Sequence, residues 1–376
     1  VKGERPTFRG GGGRSGRARG GPLRRALRAA ATGVYALACV PMAAAALAPH
    51  LGWAGWRIDM LAQFSAHAAL ATLAALTWWV LRRRWRFAAA ALVCLVLHGI
   101  VLVPGRAPWA TQRDAASASL GPVRVLQFNA YALNRSAEEA LHLLLTSDAD
   151  IVAVTEPSYP LLKRGWRDEA LRGAYPYFDQ NPRGWYMGWQ YVLSKWPLRE
   201  FEERDNGGNP SVVISLVAQR PPPWGDLGVV MIHPQSPRNA GRWLQGNELV
   251  DEAAAVVRRM REAGLPVVLL ADLNSTPAGV RNQRLVRRTD LKRCKPLLRA
   301  EGTWPSDRRW PERIAIDDAW VSPGFLVRSW EVVGPAGSDH MGVVVDLLAP
   351  AGPASAVAGE EGEGEAGDPY RDFGLP

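Results

Sequence analysis

Asp272 and Asn274 stand two residues apart at the end of a short apolar run, residues 267–271 (Val-Val-Leu-Leu-Ala). A continuous apolar run of this length reads as a strand buried on both faces. In a strand, a spacing of two puts both side chains on one face. A carboxylate and a carboxamide side by side at a strand exit can share a reaction: one holds or takes a proton, the other donates to an oxyanion. The same pair also suits an Asx turn at a strand end, so the rest of the chain must decide between the two.

Other segments repeat the arrangement. Residues 123–129 alternate as a strand and end in Asn129, and residues 150–156 form an apolar run ending in Glu156. Residues 227–233 end in His233, while Asp317 and the pair Asp339-His340 lie beside the later apolar segments 314–321 and 342–348. Further strands are predicted at 191–194 and 211–218. Helices are predicted at 137–145, where Ser136 and Glu139 have capping-box spacing, and at 242–263. In a layered sheet fold, strand ends on one edge lie close together, so polar residues scattered along the chain can meet in one pocket. An acid such as Glu156 at the end of a buried strand is costly without a partner, which favours a functional role.

The N-terminal third has another character. The first 28 residues hold Lys2 and eight arginines against one acid, Glu4, interleaved with glycine. Such a segment cannot bury a core and is expected to be a disordered basic tail. Residues 29–104 are expected to hold three membrane spans, at about 29–47, 58–80 and 87–103. The second is the weakest, with Asp59, Gln63 and His67 in or beside it. Tryptophans flank the spans, as at a bilayer interface. The basic tail and the run Arg82-Arg83-Arg84-Trp85-Arg86 put the N-terminus inside, hence everything after the third span outside a cytoplasmic membrane. Residues 105–121 read as a linker and 350–376 as a disordered acidic tail. The three cysteines, Cys39, Cys94 and Cys294, offer neither a disulfide framework nor metal-ligand spacing. A domain over 122–349, ~230 residues, is large enough to be stable through its core alone.

In chain order, Gln127-Phe128-Asn129, residues 150–156 ending in Thr155-Glu156, Ile232-His233-Pro234, Ala271-Asp272-Leu273-Asn274, Ile316-Asp317 and Gly337-Ser338-Asp339-His340 resemble the motif series of the endonuclease/exonuclease/phosphatase superfamily. Residues 192–198 and Gly302-Thr303-Trp304-Pro305 are weaker matches. The membrane-anchored arrangement resembles a bacterial subgroup. The resemblance implies an α+β four-layer αββα sandwich and a Mg²⁺-dependent phosphoesterase, with Mn²⁺ as an alternative. Glu156, Asn129 and Asp339 would be metal ligands. Asp272 would orient or deprotonate the attacking water, and Asn274 would stabilise charge on a phosphate oxygen. His340 and His233 would flank the phosphate, with Asp317 orienting His340. A histidine often follows that aspartate in the subgroup. Asp318 stands there instead, which puts in question any substrate contact at that position.

The substrate class is left open between nucleic acid and phospholipid. Aromatic residues and arginines over 166–196, and the basic run 281–295, suit stacking and phosphate contacts, a lipid interface, or plain core and surface. The alternatives are a non-catalytic membrane-tethered binding module and a cytoplasm-facing DNA nuclease.

Overall fold

The structure, a computed structural model, describes residues 22–111, 114, 120–165, 167–181, 190–202, 211–309 and 311–354. The basic tail up to residue 21, the acidic tail from 355, and Trp166, Arg183, Trp185, Tyr186 and Trp189 lie outside the described residues.

Four helices come first: α1 (Pro22–Leu51), α2 (Trp56–Ala62), α3 (Ser65–Leu81) and α4 (Trp85–Leu102). Then follow β1 (Leu120–Asn129), α5 (Ala137–Thr146), β2 (Ile151–Thr155), α6 (Tyr159–Gly165), α7 (Glu169–Ala174), β3 (Tyr177–Asn181), β4 (Gln190–Ser194) and β5 (Leu198–Glu200). The remainder is β6 (Ile214–Gln219), β7 (Asp226–Ile232), α8 (Ala240–Glu262), β8 (Val267–Asp272), α9 (Val280–Thr289), β9 (Lys292–Arg293), β10 (Asp317–Val321), β11 (Leu326–Val333) and β12 (Gly342–Pro350).

Among the described residues the strands form two six-stranded sheets, ordered β11-β12-β1-β2-β4-β3 and β5-β6-β7-β8-β10-β9. β1 and β2 run parallel, as do β7 and β8. The expected strands and both expected helices are present. Alternation explains the layers. Val123 and Val125, Val229 and Met231, Val268 and Leu270, Ala319 and Val321 point between the sheets into one core. The other faces of β1 and β2 pack under α5–α7, with Phe128 and Val154 against Leu141 and Leu144. The other faces of β7 and β8 pack under α8, with Val230 and Leu269 against Val250 and Val257. Asn239 caps α8 through a bond accepted from the Arg242 amide at 2.9 Å. Ser136 is the N-cap of α5, but its side chain makes no capping bond, so the expected capping box does not form.

The three-span expectation holds in part. Among the described residues, α1 with its extension (Ala29–Ala54) and α4 (Trp85–Leu102) are each long and apolar enough to cross a membrane, while the expected second span qualifies only as a bent pair, α2 taken together with α3. The expected second span is broken: α2 and α3 meet at 54°. The reason is its polar content. Asp59 and Gln63 are costly in hydrocarbon, and here both are buried against groups of the sandwich that hydrogen-bond them. α1, α3 and α4 still pack together, with Tyr35 edge-on to Trp79 and Phe87.

Candidate active site

Four strands turn polar at the same level of the inter-sheet core. Continuing the inward alternation, Val125 leads to Gln127 and Asn129, Met231 to His233, Leu270 to Asp272, and Ala319 to Asp317. Asp317 and Asp272 are register partners on neighbouring antiparallel strands, so their carboxylates face the same space. Both are completely buried. The residues following β2 and β8, Glu156 and Asn274, have φ of 49° and 48°. Non-glycine residues held in the left-handed region carry strain of order 1–3 kcal/mol, a cost that concentrates at functional sites.

Asp272 is the centre. Its Oδ2 accepts from Asn129 Nδ2 at 3.0 Å and lies 3.5 Å from His233 Nε2 and 3.8 Å from His340 Nδ1. Its Oδ1 accepts from the Asn274 amide at 2.8 Å. His233 Nε2 is also 3.2 Å from Glu156 Oε1, and His340 Nδ1 pairs with Asp317 Oδ2 at 2.9 Å. Asn274 Nδ2 donates to Pro234 O at 3.2 Å, and Trp304 Nε1 donates to Asp339 Oδ2 at 3.3 Å. These contacts bring seven of the eight residues singled out in the sequence into one cluster, and Asp339, the neighbour of His340 in the chain, is held beside it by Trp304.

Several supporting residues escaped the sequence reading. Ser338 Oγ donates to Asn129 O at 2.6 Å and accepts from the His340 amide at 3.0 Å, locking the histidine loop to the end of β1. Thr303 Oγ1 accepts from the amides of Ile316 and Asp317 at 3.1 and 3.2 Å. Ser338 and Thr303 both lay inside quoted motifs, but hydroxyls that bind backbone leave no periodicity to read. Asp318 points elsewhere: its carboxylate accepts from Arg293 Nε, Trp330 Nε1 and the Lys295 amide, with no exposure to the site.

The electrostatics follow from burial among acids. Burial alone would deprotonate His233, but Asp272 and Glu156 outweigh it and raise its pKa to about 10. His340 is likewise opposed by burial and lifted by Asp317 and Asp272 to about 9. Asp317 is raised by burial and by the Asp272 charge, while the two histidines and the Asn274 amide hold Asp272 low against its own burial. Both histidines are thus charged at neutral pH. Four carboxylates (Glu156, Asp272, Asp317, Asp339) against two imidazolium ions leave a formal charge of −2.

Two buried carboxylate oxygens, Asp317 Oδ1 and Asp339 Oδ1, have no hydrogen-bond partner. Unsatisfied buried anionic oxygens and a residual double negative charge both fit a divalent cation. Ligand atoms of Asp272, Asp317 and His340 also lie within 4.8 Å of one another, but a protonated His340 donates through both ring nitrogens, so this buried triad could hold a cation only after His340 lost its proton.

A pH effect follows. A raised histidine pKa stabilises the fold fully below ~6.5, its unfolded value, and that contribution disappears as pH rises through the folded value. Held in EDTA, the protein is expected to lose thermal stability between pH 6.5 and 10, through the values of about 9 and about 10 for His340 and His233. Lys295, depressed to about 7 by burial, works in the opposite direction over part of that range. The check is therefore a comparison of melting curves: the decline in the unmodified protein should be steeper than in His340→Gln.

The sequence matches the Endonuclease/Exonuclease/phosphatase family over residues 126–340, which spans every residue of this cluster. The chain belongs to that family. At the level of the family, this supports a phosphoester hydrolase. Among curated proteins no match is found. Among solved structures, the human Nocturnin catalytic domain with bound sulfate is 18% identical, with 60% of this chain and 94% of that one covered and a TM-score of 0.46. An endonuclease/exonuclease/phosphatase from Beutenbergia cavernae is 20% identical over 62% of this chain and 72% of that one, TM-score 0.45. Sphingomyelinase C from Streptomyces griseocarneus is 17% identical over 60% and 99%, TM-score 0.42.

Proposed function

We propose that this chain is a membrane-tethered phosphodiesterase dependent on a divalent metal, with Asp272 orienting the water that attacks phosphorus. The observation that carries it is the set of contacts at Asp272 Oδ2, where a buried carboxylate is approached by Asn129, His233 and His340 together. Glu156 and Asp339, with the Asn129 carbonyl, would hold the metal. An all-oxygen set favours Mg²⁺, with Mn²⁺ next. When bound, the metal neutralises charge developing on the phosphoryl oxygens.

The chain's own residues do the rest. Asp272 stays ionised at neutral pH and is a weak base, which suits accepting a hydrogen bond from water and aligning it rather than holding its proton. His340, aligned by Asp317, and His233 present positive charge to the phosphate. Asn274 Nδ2, which donates to the Pro234 carbonyl at 3.2 Å, would donate to a non-bridging oxygen of the substrate instead. Tethering concentrates the enzyme at its own bilayer, so phospholipid headgroups lead among the substrates, ahead of nucleic acid.

For sidedness, the reading is a domain outside the cytoplasmic membrane. It is supported by the arginines at one end of the helical bundle, Arg82 to Arg86 beside Tyr35, while Pro49 and Arg106 at the other end contact the sandwich.

The test is hydrolysis by the full chain in lipid nanodiscs of bis-p-nitrophenyl phosphate, a phospholipid panel and plasmid DNA, with Mg²⁺, Mn²⁺ or EDTA. Metal-dependent turnover with a preference for phospholipid is expected. A preference for DNA would favour the nuclease reading. No turnover on any substrate from folded protein would leave a binding module as the better reading.

A further inference from the structure

The break in the hydrophobic hairpin meets the sandwich at the loops that carry the site. Asp59, on α2, is 2% exposed; its Oδ1 accepts from the Val280 amide at 2.9 Å and its Oδ2 from Trp243 Nε1 at 2.8 Å. Val280 is the first residue of α9, whose N-cap, Gly279, supplies no side-chain bond. The carboxylate on α2 therefore caps a helix of the catalytic domain, with the favourable sign for a helix N-terminus. Gln63, 4% exposed, accepts from the Thr276 amide through Oε1 at 2.6 Å and donates through Nε2 to Asp59 Oδ1 at 3.2 Å. Gln283 Nε2 donates to Pro49 O at 3.0 Å, and His67 Nε2 bonds the Pro311 carbonyl.

The contact is close enough to need glycine. A Cβ on Gly279 would stand 2.1 Å from Ser275 Oγ and 2.5 Å from Gln63 Nε2, and one on Gly52 would stand 2.9 Å from Val280 Cγ2. Thr276 is two residues from Asn274. Asn274 itself is held at positive φ by Asp272 Oδ1 on one side and Pro234 O on the other. Pro311 lies in the segment between Trp304 and Asp317. Two loops of the site are thus pinned at one end by catalytic strands and at the other by the hairpin.

We propose that Asp59 and Gln63 are positioning residues of the active site, acting through the loop 273–280 on Asn274, so that turnover depends on the hairpin being seated. The turnover part rests on the phosphodiesterase reading above. Such a device has a physical basis. Both hydrogen bonds of Asn274 itself run to the strand-end residues Asp272 and Pro234, and the chain after it is held by the hairpin at Thr276 and Val280. A residue with φ near +50° relaxes when the chain after it is released, and misplacement of a reacting group by about 1 Å can cost 10²-fold in rate.

The experiment uses the full chain in nanodiscs and compares the unmodified protein, Asp59→Ala, Gln63→Ala, Asn274→Ala and the double variant Asp59→Ala/Asn274→Ala. Hydrogen exchange should accelerate by at least about tenfold at the amides of Thr276 and Val280 and also at Asn274, with β1, β8 and β10 unchanged. On bis-p-nitrophenyl phosphate, kcat should fall by about 10- to 100-fold with little change in KM, and the double variant should lose less than the product of the two single losses. Exchange that quickens at Thr276 and Val280 but not at Asn274 would overturn the proposal. So would an unchanged kcat, or fully multiplicative losses. If the unmodified protein turns over nothing, the phosphodiesterase reading fails separately, and the positioning claim stands or falls on exchange at Asn274.

Discussion

Replacing Asp272 by asparagine is expected to lower turnover of a phosphodiester by at least about 10²-fold, the scale of losing the alignment of a reacting group. The substitution keeps the size of the side chain and its acceptor for the Asn274 amide. What it removes is the charge that Asn129, His233 and His340 all converge on. An amide nitrogen turned toward Asn129 Nδ2 would set donor against donor. The loss should fall on kcat, because water is aligned in the reacting complex, with KM changing less. A second signature accompanies it: with Asp272 neutral, both histidines lose part of what raises their pKa, so each should titrate lower in the variant. Steady-state kinetics and histidine titration by NMR, on protein shown to be folded by circular dichroism, would check both. Retained turnover in a folded Asp272→Asn protein would remove Asp272 from the mechanism.

The second large effect is on stability. Asp318→Ala is expected to cost about 3–5 kcal/mol, because it breaks a buried ion pair from one side. Arg293 and Asp318 are almost wholly inaccessible, with side-chain exposures of 3% and 0%. The carboxylate also takes the Trp330 indole at 2.8 Å, the Ala319 amide at 2.9 Å and the Lys295 amide at 3.2 Å. Removing it strands a guanidinium and an indole N–H in the core, where neither meets water. The expected result is a large drop in the urea midpoint with kcat/KM per folded molecule nearly unchanged. A variant that kept its stability and lost activity would restore Asp318 as a substrate contact. The contrast between neighbours Asp317 and Asp318 comes from strand alternation. One side chain faces the inter-sheet pocket, and the next meets a basic side chain from β9.

That contrast marks where the sequence stops being informative. The strand ending at Asp272, the acid closing residues 150–156 and the helix over 242–263 are local patterns, written in the order of apolar and polar residues within about ten positions. Those patterns, with the order of the motifs, were enough for the two-sheet sandwich and for picking out polar residues, from Asn129 to His340, that the structure brings together. β3, β5, β9 and β11, and the helical state of the basic run in α9, went unread, because edge strands and a strongly charged helix acquire their structure from neighbours rather than from their own periodicity.

What the tertiary structure alone decided is which groups meet. Nothing local says that Ser338 holds the end of β1, that Thr303 receives two amides beside Asp317, or that Asp318 is neutralised by Arg293. The hairpin is the clearest case. In sequence, residues 58–80 are an apolar run blemished by Asp59, Gln63 and His67 and read as a span. In three dimensions Asp59 and Gln63 are the reason it breaks, because backbone N–H groups 213 and 221 residues away give them the hydrogen bonds that hydrocarbon cannot. Hydropathy is a property of a segment, whereas satisfaction of a buried polar group is a property of the pair it forms, and only folding makes the pair.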